Sequence, residues 1–82
     1  MMHLQSYDLP EHWAPYFVNG DASGLEDEDQ KQADAWFDAT FPKGAHCVSV
    51  DVPDGGDFRR YHDASNYALA CNVATYTFDV IQ

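Results

Sequence analysis

Carboxylates are the side chains whose number and spacing in this chain could do chemistry. The stretch GLEDEDQKQADAWFDATF, residues 24–41, places Glu26, Asp27, Glu28 and Asp29 in a row. Asp34 and Asp38 follow, and Lys31 is the sole base among them. Such acids could act as an acid–base pair, hold a divalent cation, or meet a cationic partner. Catalysis needs a nucleophile within reach of a base, and no motif supplies one. GDASG is G-x-x-S-G rather than the G-x-S-x-G of a nucleophile elbow, and it follows no strand, so Ser23 reads as a turn or capping residue. A Gly-rich phosphate loop with Lys is missing from the sequence. His62 and Asp63 adjoin, but polar turn hydrogen bonding accounts for them as well as an acid–base role does.

Metal chemistry fares no better. Asp21, Ser23 and Glu26 do not follow the alternate-position rule of an EF-hand loop. A helical row of acids points outward instead of converging. His46, Cys47, His62 and Cys71 make a zinc set on paper, yet neighbours on a strand face opposite ways, so His46 and Cys47 cannot readily share one ion. We therefore expect no catalytic residues, no metal and no cofactor. A small metal-dependent enzyme ranks last among the readings.

The elements that must carry the acids follow from periodicity. Trp13, Tyr16 and Phe17 stand at i, i+3 and i+4, which predicts a first helix that Pro15 shortens or distorts and Asn19-Gly20 ends. A second helix is expected over residues 27–40, with Ala33, Trp36, Phe37 and Thr40 on one core-facing stripe and Leu25 stapled onto its first turn. Pro42-Lys43-Gly44 stops it. AHCVSVDV alternates, grouping His46, Val48, Val50 and Val52 against Cys47, Ser49 and Asp51. PDGGD turns the chain, FRRYH gives a second strand, DASNY a loop, and NVATYTFDVI a third strand with Tyr76, Phe78 and Val80 together. The expected fold is α+β: two N-terminal helices packed on a three-stranded antiparallel β-sheet, ααβββ, in a single domain over residues 1–82.

On the helical wheel Asp27, Asp34 and Asp38 lie within roughly 40° of one another and away from Trp36. Along the axis they are spaced by roughly 10 and 6 Å, close to the spacing of phosphates on a nucleic-acid strand. Asp8, Glu11, Asp21, Asp54, Asp57 and Asp63 are expected in loops. Fourteen acids against four bases give a formal charge of −10 in 82 residues. Solubility of a small domain needs only about 2–8 charges, and the surplus costs stability through self-repulsion. Acids at a helix start complement its dipole, but Asp34 and Asp38 lie beyond the first turn. The alternative is a plain solvated acidic face.

Hydrophobic residues at 45% and aromatics at 15% exclude a disordered chain. The first residues show neither a basic n-region nor an apolar run, and no segment approaches a membrane span. We expect a soluble cytoplasmic protein that anionic lipid would repel. Cys47 and Cys71 read most simply as free, largely buried thiols, although their number also permits a disulfide.

The segments WAPYFVNGDASGL, FRRYHDA and TYTFDV resemble a group of small acidic proteins from bacteria and their phages or plasmids. In size and charge the chain is also similar to anti-CRISPR proteins that act as DNA mimics. That resemblance implies a cytoplasmic inhibitor in a bacterial host. Its partner would be the basic DNA-binding surface of a CRISPR interference complex, of the multisubunit type I kind, without direct binding of nucleic acid. Glu26, Asp27, Glu28, Asp29, Asp34 and Asp38 are the expected partner-binding residues, followed by Asp54 and Asp57. The alternative is an acidic regulatory module of phage or plasmid origin that docks on a basic host protein without imitating DNA. Either could be monomeric or homodimeric, with Tyr61 or Tyr67 as exposed aromatics at a dimer contact.

Overall fold

Residues 68–80 carry four β-branched residues and alternate Tyr76, Phe78 and Val80 against Thr75, Thr77 and Asp79. Such a pattern suits a long strand with one buried side. In the computed structural model, which describes residues 3–63 and 68–82, this strand organises the molecule. The elements in chain order are β1 (Leu4–Pro10), a 3₁₀ turn (Glu11–Trp13), α1 (Ala14–Asn19), α2 (Asp27–Thr40), β2 (Ala45–Asp51), β3 (Phe58–His62) and β4 (Ala68–Val80). Among the described residues, all strand pairings are antiparallel and all involve β4. Its second half lies between β1 and β2, and its first half pairs with β3.

The sheet therefore has four strands, which corrects the ααβββ expectation. The missed strand is β1, LQSYDLP, where no β-branched residue announces a strand. Its extended form comes from pairing with β4, from Leu4 opposite Asp79 to Pro10 opposite Val73. Proline, which has no N–H to give to a ladder, then ends the pairing.

A second correction concerns β2. Strict alternation grouped Val48, Val50 and Val52 on one side, but the register shifts between Cys47 and Ser49. One extra residue in a bulge reverses the side on which each later residue sits. Ala45, Cys47 and Val50 consequently pack on the core, whereas Val48 and Val52 are half exposed. β4 also changes phase: Val73 and Ala74 are buried in succession, and Ala74, Tyr76 and Phe78 continue the buried side.

Both helices follow their apolar stripes. Pro15 sits in the first turn of α1, where its lost N–H would have had no helical partner. Gly20 ends the helix at φ 68, a left-handed conformation that costs glycine little. α2 spans the expected residues, burying Ala33 and packing Trp36 and Phe37 against the sheet. Leu25 joins the same core. Phe17 lies at its centre, with ring centroids 5.8 to 6.0 Å from Phe37, Phe78, Trp13, Tyr76 and Trp36. Full burial of one such side chain contributes about 1.5–3 kcal/mol. The core is small but dense in aromatics, and Trp13, Tyr76 and Phe78 within it are fully enclosed.

Candidate functional site

α2 sets the direction of six of the eight candidate acids. A helix anchored through Ala33, Trp36 and Phe37 turns residues about 180° away from Trp36 toward solvent. Asp27, Asp34 and Asp38 occupy that side, and all three are exposed. Glu26 precedes the first turn and is also exposed. The structure thus brings Asp27, Asp34 and Asp38 onto one outward ridge, with Glu26 exposed ahead of the helix and outside that line. Among the described residues, no ion pair joins any of these four to a base. Lys31 lies one turn after Asp27 without forming one.

Other candidates are diverted. Glu28 lies on the flank, accepting a bond from the Gln32 amide at 3.3 Å. Asp29 is half-buried and stands 3.4 Å from Nε2 of His12, beside the 3₁₀ turn. Asp34 accepts a hydrogen bond from the Tyr16 hydroxyl of α1, which ties the ridge to the neighbouring helix. That bond, more than partial burial, raises the pKa of Tyr16, because the phenolate would face a carboxylate. Asp54 and Asp57 belong to the turn between β2 and β3, not to α2. Asp54 is exposed, while Asp57 receives Arg59 Nε at 3.3 Å. Gly55 and Gly56 hold this turn at φ 79 and 80, and a side chain at Gly56 would crowd Asn72 at 3.0 Å.

A second acidic area was not foreseen. Asp8 is a strand residue, not a loop residue, opposite Thr75 in β4. The registers place Asp8, Thr75 and Asp51 in one row across the sheet, Ser6, Thr77 and Ser49 in the next, and Leu4, Asp79 and His46 in the third. These residues fall on the side opposite Tyr7, Tyr76 and Val50, because strand neighbours alternate. Ser6 and Thr77 hydroxyls are 2.9 Å apart, and Thr75 donates to Asp8 at 3.0 Å. Arg59 reaches Asp8 at 2.9 Å. Its guanidinium, with the Thr75 hydroxyl second, lowers the Asp8 pKa. The alternation of Thr75, Thr77 and Asp79 was the available signal, but only the pairing shows which strands complete the rows.

The remaining reactive groups have ordinary structural settings. The Ser23 backbone N–H donates to Asp21 at 3.0 Å, an Asx turn that holds Ser23 at the surface. Bonds from the Ser23 side chain and backbone hold the Asp21 carboxyl below its usual range. Cys47 and Cys71 are free and half-buried, and burial is the first cause that pushes each thiol up. Tyr61 is buried, contrary to the exposed role expected of it, and Tyr67 lies outside the described residues. Among the described residues, no three His, Cys, Asp or Glu side chains converge in the way a metal ion needs. Nor, among them, is any helix long and apolar enough to cross a membrane.

These features define a small α+β domain with an acidic helix ridge on one side and an acid-bearing open sheet on another. The chain belongs to the family described as "Domain of unknown function (DUF6926)", whose model matches residues 6–80. No curated protein and no solved structure matches it.

Proposed function

We propose that this protein is a non-catalytic acidic binding module that presents α2 to a cationic, nucleic-acid-binding surface of a partner protein. The observation that carries the reading is the ridge of Asp27, Asp34 and Asp38, exposed and without a basic partner among the described residues. Asp38 stands in the last turn of α2, where a carboxylate meets the negative end of the helix dipole and costs stability. A charge held at a cost fits binding better than folding. Single rim pairs contribute little, but a complementary field accelerates encounter and the array adds up. In its particular form, the partner is the DNA-binding groove of a type I CRISPR interference complex in the bacterial cytoplasm, and the protein is its inhibitor.

Competition tests this. The partner's nucleic-acid binding is measured with the wild-type protein and with the Asp34→Lys/Asp38→Lys double variant. The wild type is expected to displace nucleic acid, and the variant to lose at least ten-fold in potency. Equal potency would remove α2 from the interface.

A second reading has its own support. Phe58 is 70% exposed and Val52 52%, and Asp54 and Asp57 lie between them in sequence. An apolar patch beside acids suits docking on a basic protein surface that is not a nucleic-acid groove. Added duplex would leave such a complex intact.

A further inference from the structure

We propose that the cleft between α2 and strands β1 and β3 receives an arginine side chain of the partner protein. The inference deepens the proposed function, since it rests on a cationic partner, and it assigns a specific anchor beside the diffuse ridge. The cleft encloses about 570 Å³, room for one long side chain and its hydration. Ala35 and Ala39 of α2 create this space, because their small side chains leave one flank of Trp36 uncovered. Tyr7 adjoins Trp36 edge to face at 5.2 Å, and the buried Tyr61 also lines the cleft. Asp63 adds a carboxylate to the lining, whereas Asp8, whose backbone borders the cleft, turns its own carboxylate to Arg59 and Thr75.

This combination matches the chemistry of guanidinium. A planar, weakly hydrated cation stacks on aromatic faces and offers a fork of donors to carboxylates. Lysine would present a more strongly hydrated point charge with less to gain from the aromatic walls. The molecule already shows the pairing within itself: Arg59 contacts Asp8 at 2.9 Å and Asp57 at 3.3 Å. In the cleft the acceptor is Asp63, which bonds the Tyr61 hydroxyl and, as a carboxylate with about four lone-pair sites, can accept guanidinium donors as well. The net charge of −10 concentrates cations around the whole surface, and the cleft offers one of them an apolar, aromatic lining that the ridge lacks. A neutral apolar side chain would fill the same volume but forgo the Asp63 carboxylate.

The test uses the full chain and two blocked tripeptides, acetyl-Gly-Arg-Gly-amide and its citrulline counterpart, which has nearly the same shape without the charge. Binding is followed by NMR at the Trp36 indole N–H and the Ala35 and Ala39 methyl groups. The arginine peptide is expected to shift all three saturably, and the citrulline peptide to bind at least ten-fold more weakly. Ala39→Leu should fill the cleft and abolish the shifts while the far-ultraviolet circular dichroism stays unchanged. Asp63→Asn keeps the cavity open and should weaken binding about three- to ten-fold. Equal binding of citrulline, undiminished binding by Ala39→Leu, or shifts confined to Asp34 and Asp38 would overturn the assignment. The two proposals separate in the competition assay. If the Asp34→Lys/Asp38→Lys variant loses potency and Ala39→Leu does not, the ridge stands and the cleft falls; if only Ala39→Leu loses potency, the cleft stands without the ridge.

Discussion

Asp38→Asn should make the protein more stable, and the size of the gain follows from where Asp38 sits. It is the third-last residue of α2, two positions before Thr40. There the helix dipole opposes a negative charge by about 0.3–1 kcal/mol. Asp34 is one turn earlier, roughly 6 Å along the axis. Two unit charges at that separation in water repel by about 0.7 kcal/mol, and salt at physiological strength cuts this roughly in half. Replacing one carboxylate by its neutral isostere should therefore stabilise by about 0.5–1.3 kcal/mol. For a domain of this length that is a rise in Tm of roughly 2–10 °C.

Asp34→Asn provides the contrast, because Asp34 accepts the Tyr16 hydroxyl. Exchanging a charged for a neutral acceptor weakens that bond, so its gain from relieved repulsion is offset and Tm should stay level or fall by a few degrees. Thermal unfolding followed by circular dichroism at 0.05 and 0.5 M NaCl measures both variants. The Asp38→Asn gain should shrink at high salt as the Coulombic part is screened. An unchanged or lowered Tm for Asp38→Asn at low salt would mean that Asp38 has a favourable partner in the folded state. The claim that its charge is held for binding would then fail.

Tyr76→Phe removes a buried hydroxyl that donates to the Pro10 carbonyl at 2.5 Å and also lies 3.2 Å from the Glu11 carbonyl. It should destabilise by about 1–2 kcal/mol, read as a lower urea midpoint with unchanged slope. Because the folded Asp8 carboxyl lies below its unfolded value, through Arg59 first and Thr75 second, its contribution is full above the unfolded pKa and is lost as pH falls through the folded one. Melting curves from pH 5 to 2 should therefore show an acid-side loss that is smaller in Asp8→Asn. The bulge is tested by a pair of truncations measured by denaturant unfolding. Val50→Ala, on the core side, should cost about 1–2 kcal/mol, and Val48→Ala, half exposed, should stay within about 0.5 kcal/mol.

Legibility divides according to what a local pattern can encode. α2 was readable from end to end because its apolar stripe lies within its own residues and its stop signal, Pro42-Lys43-Gly44, follows directly in sequence. The inward side of the second half of β4 was readable for the same reason, through Tyr76, Phe78 and Val80. β1 was not, since LQSYDLP becomes a strand through a partner about 70 residues away. Loop acids were assigned by default, so Asp8 was misplaced as soon as its strand was missed. The bulge in β2 was hidden because Val48, Val50 and Val52 make an unbroken alternation. Only the register against Phe78 and Thr77 reveals that Cys47 replaces Val48 on the inner side.

The same division governs the acids. Helical spacing foretold that Asp27, Asp34 and Asp38 share a side, but it was silent on which of the acids other elements would engage. Of the six on or next to α2, Asp29 meets His12 and Asp34 meets Tyr16, each through a residue at least 17 positions away. Asp57 and Asp8 share Arg59, so one base is held between two acids on different elements. With only four bases against fourteen acids, internal pairing cannot neutralise the surface. Fixing Arg59 between Asp57 and Asp8 leaves the exposed carboxylates of Glu26, Asp27 and Asp38 without a basic counterpart among the described residues. Folding thus consumes little of the negative charge, and most of what remains on α2 faces solvent, where a cationic partner could supply the missing counter-charge.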